Sequence, residues 1–322
     1  MLEEKIMTYL YNKPFQLQNV ELDNYRAVYG QSVAQMDFEI ANSPGKDDQI
    51  DLTHGDTRAF TPPTSAFSDY SRAVKENTEA YSAYRGSATV RKLLAPRLAN
   101  FIGIEVDPGK ELIILPGTQG ALYASLSAFV GVGVKVAYPA MEYFMNERII
   151  SFLGGSSIRV PAKIDKSGYI DISETDLEAA HSAGATVFVF SNPNNPTGGI
   201  YSMEVCQRIA NWAKKYNISV IADQLYCRLI YDNRKFTHIS SLPGMKDQVV
   251  TLLGPSKTES MSGYRVGVAV GPTSIISALE VVQSITSLRA AGYTQHSLSG
   301  WFAEEDGWLD ERIKLHQEIR DY

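Results

Sequence analysis

The chain has 322 residues, of which 44% are hydrophobic and 20% are charged, and its formal net charge is −6 at pH 7. This composition is that of a globular protein and excludes a disordered or fibrous chain, and the length predicts one large domain with a smaller one. The negative charge offers no basic field to nucleic acid or to an anionic membrane, so the sequence favours a small-molecule partner.

The N-terminus and the cysteines predict a cytoplasmic protein. The first residues, "MLEEKIMTYL", are acidic and polar and differ from a secretory signal, and no stretch reaches about 18 consecutive apolar residues. Cys206 and Cys227 provide neither a disulfide framework nor a zinc-binding spacing. The five histidines form no ligand spacing either, so we expect no metal site.

The order of apolar runs along the chain predicts an α/β fold. Residues 1–50 are polar and irregular and predict an N-terminal arm with part of a small domain. From about residue 110, helical stretches alternate with β-rich runs at 111–115, 135–138, 186–190, 218–223, 249–253 and 266–270. This alternation predicts a mostly parallel sheet covered by helices, in a large domain spanning 51–275.

Two further regions have helical periodicity. Residues 203–216 carry apolar side chains at helical spacing and predict a crossover helix between two strands. After about residue 275 the pattern is helical, which predicts linking helices and the start of a C-terminal small domain over 276–322. Because the chain ends inside an amphipathic pattern, we expect this small domain to be incomplete.

Polar side chains that suit an anionic cofactor follow the predicted strands, at the sheet edge where α/β proteins bind ligands. Lys257 lies in a Ser-Lys-Thr loop and can form a Schiff base, and Arg265 has the forked donors that suit a phosphate. Asp223 ends a strand, and "GTQGAL" begins a helix whose free amides suit an anion. Taken singly, each has an ordinary alternative: a solvated lysine, a helix cap or a strand-to-helix turn.

Four motifs occur in order after these strands: "LPGTQGAL", "SNPNNPTGG", "ADQLYCRLIYD" and "GPSKTESMSGYRVG". The ordered set resembles the class I and II aminotransferases, fold type I enzymes that use pyridoxal 5′-phosphate, from about residue 50 to the end of the chain. The resemblance implies a large cofactor-binding domain, with a mostly parallel sheet between helices, and a smaller terminal domain.

The resemblance implies how the cofactor's aldehyde and phosphate are held. Lys257 is implied to form the Schiff base with the aldehyde, and Ser256 and Arg265 to bind the phosphate. Thr118 and Gln119, at the start of the predicted helix, are implied to cradle the same phosphate.

It also implies how the cofactor ring is held. Asp223 is implied to keep the pyridine nitrogen protonated, so that the ring acts as an electron sink. Tyr226 and Asn195 are implied to donate hydrogen bonds to the ring hydroxyl, which would explain the turn-rich "SNPNNPTGG" segment as a device that aims one amide. Tyr143 is implied to stack on the ring.

Three weaker matches concern the subunit interface and the substrate. Tyr81 matches a tyrosine that reaches the phosphate of a neighbouring subunit, and surface packing is an equal alternative for it. His54 and Gly55 match the segment near the substrate carboxylate.

The chain departs from the family pattern at two positions. Gly254 stands where many relatives have a second phosphate-binding serine, so we expect phosphate binding to rest on other donors. Gln224 stands where relatives usually have glutamate, and we expect the lost charge to bear on substrate choice or reaction type.

By resemblance the protein is an aminotransferase that moves an amino group from an L-amino acid to a 2-oxo acid, working as a homodimer without nucleic acid or membrane partners. One alternative keeps the cofactor and changes the reaction, as in an oxygen-dependent arginine oxidase, a lyase or a decarboxylase. Another is a binding module that retains the cofactor without turnover. The identity of the amino donor stays open.

Overall fold

A computed structural model describes residues 15–18 and 60–322. Most of the predicted N-terminal arm, together with His54 and Gly55, lies outside the described residues. The proposed division into three segments therefore stays a prediction.

The helices and strands of the described residues alternate as the sequence predicts. The α-helices are α1 (Phe15–Gln18), α2 (Thr64–Lys75), α3 (Ala88–Ile102), α4 (Gly117–Phe129), α5 (Met145–Phe152), α6 (Glu174–Ser182), α7 (Met203–Tyr216), α8 (Thr273–Thr286), α9 (Gly292–Gln295) and α10 (Trp308–Asp321). The strands are β1 (Leu112–Leu115), β2 (Lys135–Pro139), β3 (Ser156–Val160), β4 (Lys163–Ile164), β5 (Tyr169–Asp171), β6 (Ala185–Ser191), β7 (Ile200–Tyr201), β8 (Ser219–Asp223), β9 (Val249–Leu253) and β10 (Gly267–Val270). All six predicted strands are present, and each begins within one residue of its predicted start.

The main sheet has seven strands in the order β1-β10-β9-β8-β6-β2-β3. The pairs from β9 to β3 are parallel, and β10 runs antiparallel to both of its neighbours. A smaller sheet, β4-β5-β7, lies beside it. The predicted mostly parallel sheet between helices is therefore confirmed.

The strand register aligns the ends of three central strands. Ser191, the last residue of β6, lies opposite Asp223, the last residue of β8, and Asp223 lies opposite Leu252 of β9. The residues that follow these strands therefore leave the sheet at the same edge.

The antiparallel strand β10 brings its preceding residues to this edge as well. Gly267, at the start of β10, pairs with Leu115, at the end of β1. Arg265 precedes β10, so it lies beside the segment that follows β1, which is the start of helix α4. A parallel β10 would have placed Arg265 at the opposite edge.

Both faces of the sheet are buried under helices, as β6 shows. Phe188 and Phe190 belong to one core cluster, where the ring of Phe188 lies edge-on to Trp212 of α7 at 5.6 Å between centroids. Val187 and Val189 alternate with them and belong to the cluster on the other side. This alternation follows from the two-residue period of a strand.

Helix α7 matches its predicted bounds, 203–216. The hydroxyl of Ser202 accepts a hydrogen bond from the N–H of Val205 and caps the start of the helix, and Asn217 in the left-handed region ends it. The predicted helix after residue 275 is shorter than its apolar pattern, because α8 ends at Thr286 and Leu288 has a φ of +64°. Among the described residues, no helix is long and apolar enough to cross a membrane.

Candidate active site

A cavity of about 410 Å³ lies at the carboxyl edge of the main sheet. Its walls come from the segments that follow β1, β2, β6, β8 and β9 and from the one that precedes β10. The lining residues are Thr118, Gln119, Leu122, Tyr143, Phe144, Ser191, Asn195, Asp223, Leu225, Tyr226, Ser256, Lys257, Ser262 and Arg265. Nine of the twelve site residues predicted from the sequence therefore share one cavity.

Asp223, the last residue of β8, lines this cavity. The N–H of Leu225 donates to its Oδ1 at 3.1 Å, which fixes the side chain at the strand end. Burial raises the pKa of Asp223 from its ordinary value of 3.8 to about 6. A buried carboxylate with a raised pKa is a favourable partner for a positive charge placed in the cavity.

Tyr226 lies three residues beyond Asp223, in the same cavity. Burial, helped by the nearby Asp223 carboxylate, raises the pKa of Tyr226 to about 12. The phenol is therefore protonated throughout the neutral range and can act as a hydrogen-bond donor.

One end of the cavity, at the start of helix α4, is suited to an anion. Helix α4 begins there, and the first N–H groups of a helix have no acceptor within it and lie at the positive end of its dipole. Among the described residues, the buried hydroxyl of Thr118 has no hydrogen-bond partner. The guanidinium of Arg265 lies against Gly117, where an added Cβ would come within 2.7 Å of its Nη2.

Two glycines allow the close approach of the backbone at this end. A Cβ on Gly267 would lie 2.7 Å from the backbone nitrogen of Thr118, and a Cβ on Gly254 would lie 2.4 Å from the Thr118 hydroxyl. Gly254 is the position where the sequence resemblance leads us to expect a phosphate-binding serine. Here the Thr118 hydroxyl fills the space that a side chain on residue 254 would need, which gives a physical reason for the glycine.

Lys257 is half-buried in the cavity wall, in the loop between β9 and β10. The next two residues of that loop, Thr258 and Glu259, are each 1% exposed. Glu259 pairs with the buried Arg228, which also binds Glu304 through two hydrogen bonds of 2.9 and 3.0 Å. This ion-pair cluster anchors the loop that carries Lys257.

The turn-rich segment after β6 carries Asn195 into the cavity. The side-chain oxygen of Asn194 accepts hydrogen bonds from the N–H and the hydroxyl of Thr197, and its backbone N–H donates to the carbonyl of Gly199 at 2.7 Å. The Asn192–Pro193 and Asn195–Pro196 peptide bonds are cis. The cluster of turn-forming residues thus builds a closed loop with one asparagine facing the site.

Two residues predicted to bear on the site lie elsewhere. Gln224 is 1% exposed, and its Oε1 lies 2.7 Å from Nδ1 of His238, within the core. Gln224 is not among the residues that line the cavity, and the expectation that the lost charge bears on substrate choice or reaction type stays a prediction. Tyr81 is 80% exposed and lies under Arg289, so its contact with a neighbouring subunit stays a prediction.

The sequence interpretation missed Glu142 and Ser191. Ser191 lines the cavity, and its N–H and hydroxyl both donate to Glu142. Burial raises the pKa of Glu142 to about 7, with Asp223 acting in the same direction. The sequence did contain one indication of this role, because Glu142 is an acidic residue in the otherwise apolar segment "YPAMEYF".

A larger cavity of about 580 Å³ adjoins the first one and shares Asn195 and Tyr226 with it. Its cations include Arg234 and Arg320, and both pair with Asp232. Lys257 and Asp223, which the sequence predicts as site residues, line the smaller cavity and are absent from the lining of the larger one.

The sequence matches the family described as "Aminotransferase class I and II" over residues 47–322. It is 31% identical over 223 residues to a putative aminotransferase, YugH, of Bacillus subtilis, covering 69% of this chain and 57% of that one. It is 28% identical to an aspartate aminotransferase of Pyrococcus abyssi, covering 84% and 68% of the two chains.

Among solved structures, an aspartate aminotransferase from Rhodobacter sphaeroides superposes with a TM-score of 0.82 at 44% identity, over 89% of this chain and 77% of that one. The chain thus spans little more than half the length of the Bacillus relative and about three quarters of the Rhodobacter structure.

Proposed function

The chain belongs to the class I and II aminotransferases, and from that premise we propose that it moves an amino group from an L-amino acid to a 2-oxo acid. The observation that carries the proposal is the cavity that gathers Asp223 at the end of β8, Tyr226 just after it, Asn195 after β6 and Lys257 after β9. Because relatives in Pyrococcus and Rhodobacter are named aspartate aminotransferases, aspartate is the donor to test first.

The residues of the cavity fit pyridoxal 5′-phosphate, the cofactor of this family. The Thr118 hydroxyl, which is buried and lacks a partner among the described residues, the start of α4 and Arg265 together form a donor set suited to a phosphate. The buried carboxylate of Asp223, which lines the same cavity, suits a protonated ring nitrogen. One cavity thus offers groups for both the phosphate and the ring of the cofactor.

When bound, this cofactor supplies an aldehyde for a lysine amine and a ring that accepts the electron pair left when an amino acid loses its α-proton. Lys257 would hold the aldehyde end through Nζ, and Ser256, Thr118 and Arg265 would hold the phosphate. Tyr226 and Asn195 would donate hydrogen bonds to the ring hydroxyl, and the charge on Asp223 would keep the ring nitrogen protonated.

The chain's own acid–base chemistry centres on Lys257. Lys257 lines the same cavity as Asp223, and a neutral amine there can accept the α-proton of the substrate and return it at the adjacent carbon. Anchoring of the Lys257 loop by Glu259 and Arg228 supports this role, since proton transfer requires a fixed donor–acceptor geometry.

A different reaction on the same cofactor drew slight support from Gln224, which stands beside Asp223 without a charge. Its side chain contacts His238 in the core, and this contact does not favour either reaction. Transamination is the reaction we propose, because the family and the relatives named above are aminotransferases.

A homodimer with a cytoplasmic location is part of the same proposal. Tyr81 and Phe67 expose 80% and 65% of their surface, and exposed aromatic side chains of this kind can contribute to a subunit interface. Cys206 and Cys227 are buried and unpaired, as in a reducing compartment.

The test is a half-reaction followed by its reversal. Purified protein with pyridoxal 5′-phosphate is mixed with aspartate, and the absorbance of the bound cofactor is recorded before and after 2-oxoglutarate is added. We expect a shift with the amino acid and its reversal with the oxo acid, and neither with Lys257→Ala. Ammonia release and oxygen uptake without an oxo acid would contradict transamination, and no shift with any amino acid would favour a binding module.

A further inference from the structure

The carboxylate of Glu142 collects four hydrogen-bond donors at the base of the Asn195 loop. Oε2 accepts from the N–H of Ser191 at 2.8 Å and from the side-chain amide of Asn194 at 3.3 Å. Oε1 accepts from the hydroxyl of Ser191 at 2.5 Å and from the N–H of Tyr143 at 2.8 Å. One acidic side chain thus ties the segment after β2 to the segment after β6.

The hydroxyl of Ser191 extends this contact to Asn195. Its oxygen accepts hydrogen bonds from the side-chain amide of Asn194 at 3.1 Å and from the backbone N–H of Asn195 at 3.0 Å. With both lone pairs used, the single hydroxyl hydrogen is directed to Glu142. The backbone of Asn195 is therefore one side chain away from the Glu142 carboxylate.

This arrangement suits the ionised form of Glu142. All four partners donate, and the backbone N–H groups of Ser191 and Tyr143 cannot accept a hydrogen bond. A proton on the carboxyl would therefore face a donor and would displace at least one of these bonds. Protonation of Glu142 should loosen the loop that it holds.

The surroundings of Glu142 place its titration in the neutral range. Burial raises its pKa to about 7, and the Asp223 carboxylate at the end of β8 acts in the same direction. Tyr201 faces it from β7, with its own pKa raised well above the ordinary value by burial, so this phenol stays neutral. On its own segment, the Tyr143 backbone stabilises the ionised form through its N–H.

We propose that Glu142 is a positioning residue, which as a carboxylate holds the Ser191–Asn195 turn and thereby aims Asn195 into the cavity, and which releases the turn when protonated. Asn195 has a role toward the cofactor only if the proposed function holds, and the consequence for activity rests on that function. The claim that Glu142 holds the Ser191–Asn195 turn concerns the chain alone and does not depend on that function.

The first experiment measures hydrogen exchange of the cofactor-free protein in peptides that cover residues 191–199, with rates corrected for the intrinsic effect of pH. We expect wild-type protection of this segment to be lower at pH 6 than at pH 8. Glu142→Gln replaces an acceptor oxygen by an amide donor, so it should lower protection about tenfold at pH 8 and remove the difference between the two pH values.

A matched control lies five residues further along. Glu147 lies in helix α5, which belongs to the same β2–β3 connection as Glu142, and pairs with Arg159 at the surface. Glu147→Gln should leave the protection of residues 191–199 and its pH dependence as in the wild type. Equal protection in Glu142→Gln and the wild type at both pH values would overturn the proposal.

Ser191→Ala provides a second variant in case Glu142→Gln does not fold. It removes the hydroxyl that links Glu142 to Asn195 and keeps the bond from the Ser191 N–H. Lower protection at the Asn195–Gly199 amides in this variant supports the proposal, and unchanged protection contradicts it.

The second experiment uses the cofactor-loaded protein. In the wild type we expect kcat to fall on the acid side of about pH 7, and in Glu142→Gln we expect a lower kcat without that acid limb. An unchanged acid limb in the variant would overturn the link to activity. If no amino transfer is detected at all, the proposed function fails while the exchange experiment still decides the role of Glu142.

Discussion

Replacing Asp223 with asparagine removes one negative charge from the cavity and keeps the shape of the side chain. The remaining Oδ1 can still accept the 3.1 Å hydrogen bond from the N–H of Leu225, so the end of β8 should keep its conformation. Any change in chemistry can then be assigned to the charge rather than to a displaced strand.

The expected loss of half-reaction rate in Asp223→Asn follows from the environment of Asp223. Burial strong enough to raise its pKa to about 6 indicates a site that screens charge less than bulk water does. Opposite charges about 3 Å apart at an effective dielectric constant near 20 attract by on the order of 5 kcal/mol, which is an upper estimate. If half of this is lost at the transition state, the half-reaction slows roughly a hundredfold.

The same substitution should stabilise the cofactor-free protein. Because burial raises the pKa of Asp223 above its ordinary value of 3.8, the stability associated with its protonated form is complete below that value and is lost as the pH rises through about 6. Asparagine is neutral throughout, so Asp223→Asn should have the higher melting temperature at pH 8 and no advantage at pH 4.

Stopped-flow absorbance of the half-reaction with aspartate checks the rate, and thermal unfolding of the cofactor-free protein at pH 4 and pH 8 checks the stability. At pH 8 the half-reaction of Asp223→Asn should be slower, and its melting temperature higher, than those of the wild type. A half-reaction rate within threefold of the wild type, with cofactor fully bound, would refute the electrostatic role of Asp223. A lower melting temperature at pH 8 would refute the cost assigned to its burial.

The remaining predictions concern the phosphate end of the cavity and the anchor of the Lys257 loop. Gly254→Ala places a Cβ 2.4 Å from the Thr118 hydroxyl, so it should lower the free energy of unfolding by about 1–3 kcal/mol and weaken cofactor binding. Unfolding and cofactor titration experiments check the two effects. Gly131→Ala is the control, because its Cβ meets no described atom within 4 Å, and it should change neither quantity. Arg228→Met leaves the Glu259 carboxylate buried without its cation, so urea unfolding at pH 8 should show a free energy of unfolding lower by about 3–5 kcal/mol. The loss should be smaller at pH 5, because protonation neutralises Glu259 there.

The strands and the site residues beside them could be predicted from the sequence because both depend on local patterns. Apolar runs such as 186–190 and 249–253 are bounded by turn residues, and the carboxyl ends of parallel strands share one edge. This reasoning places Asp223, Asn195 and Lys257 near one another without any coordinates.

The strand order and the direction of β10 have no comparable local signal. The apolar pattern at 266–270 does not distinguish a parallel strand from an antiparallel one. Only the antiparallel direction brings Arg265 beside helix α4. These features depend on long-range pairing, which the periodicity of a single segment does not encode.

Side-chain direction at the ends of elements was also beyond the sequence. Gln224 and Asp223 are adjacent, and successive residues of an extended chain point to opposite sides, so one enters the core while the other faces the cavity. Glu142 was missed for a related reason, because its significance comes from Ser191 and Asn194, which lie about fifty positions away in the chain.

The central claim is that Lys257 holds the cofactor covalently, and borohydride reduction of the cofactor-loaded protein tests it most directly. After digestion, mass spectrometry should find the added cofactor mass on the peptide that contains Lys257, and Lys257→Ala should carry none. A cofactor mass on another lysine, or unmodified protein after saturation with pyridoxal 5′-phosphate, would contradict the account.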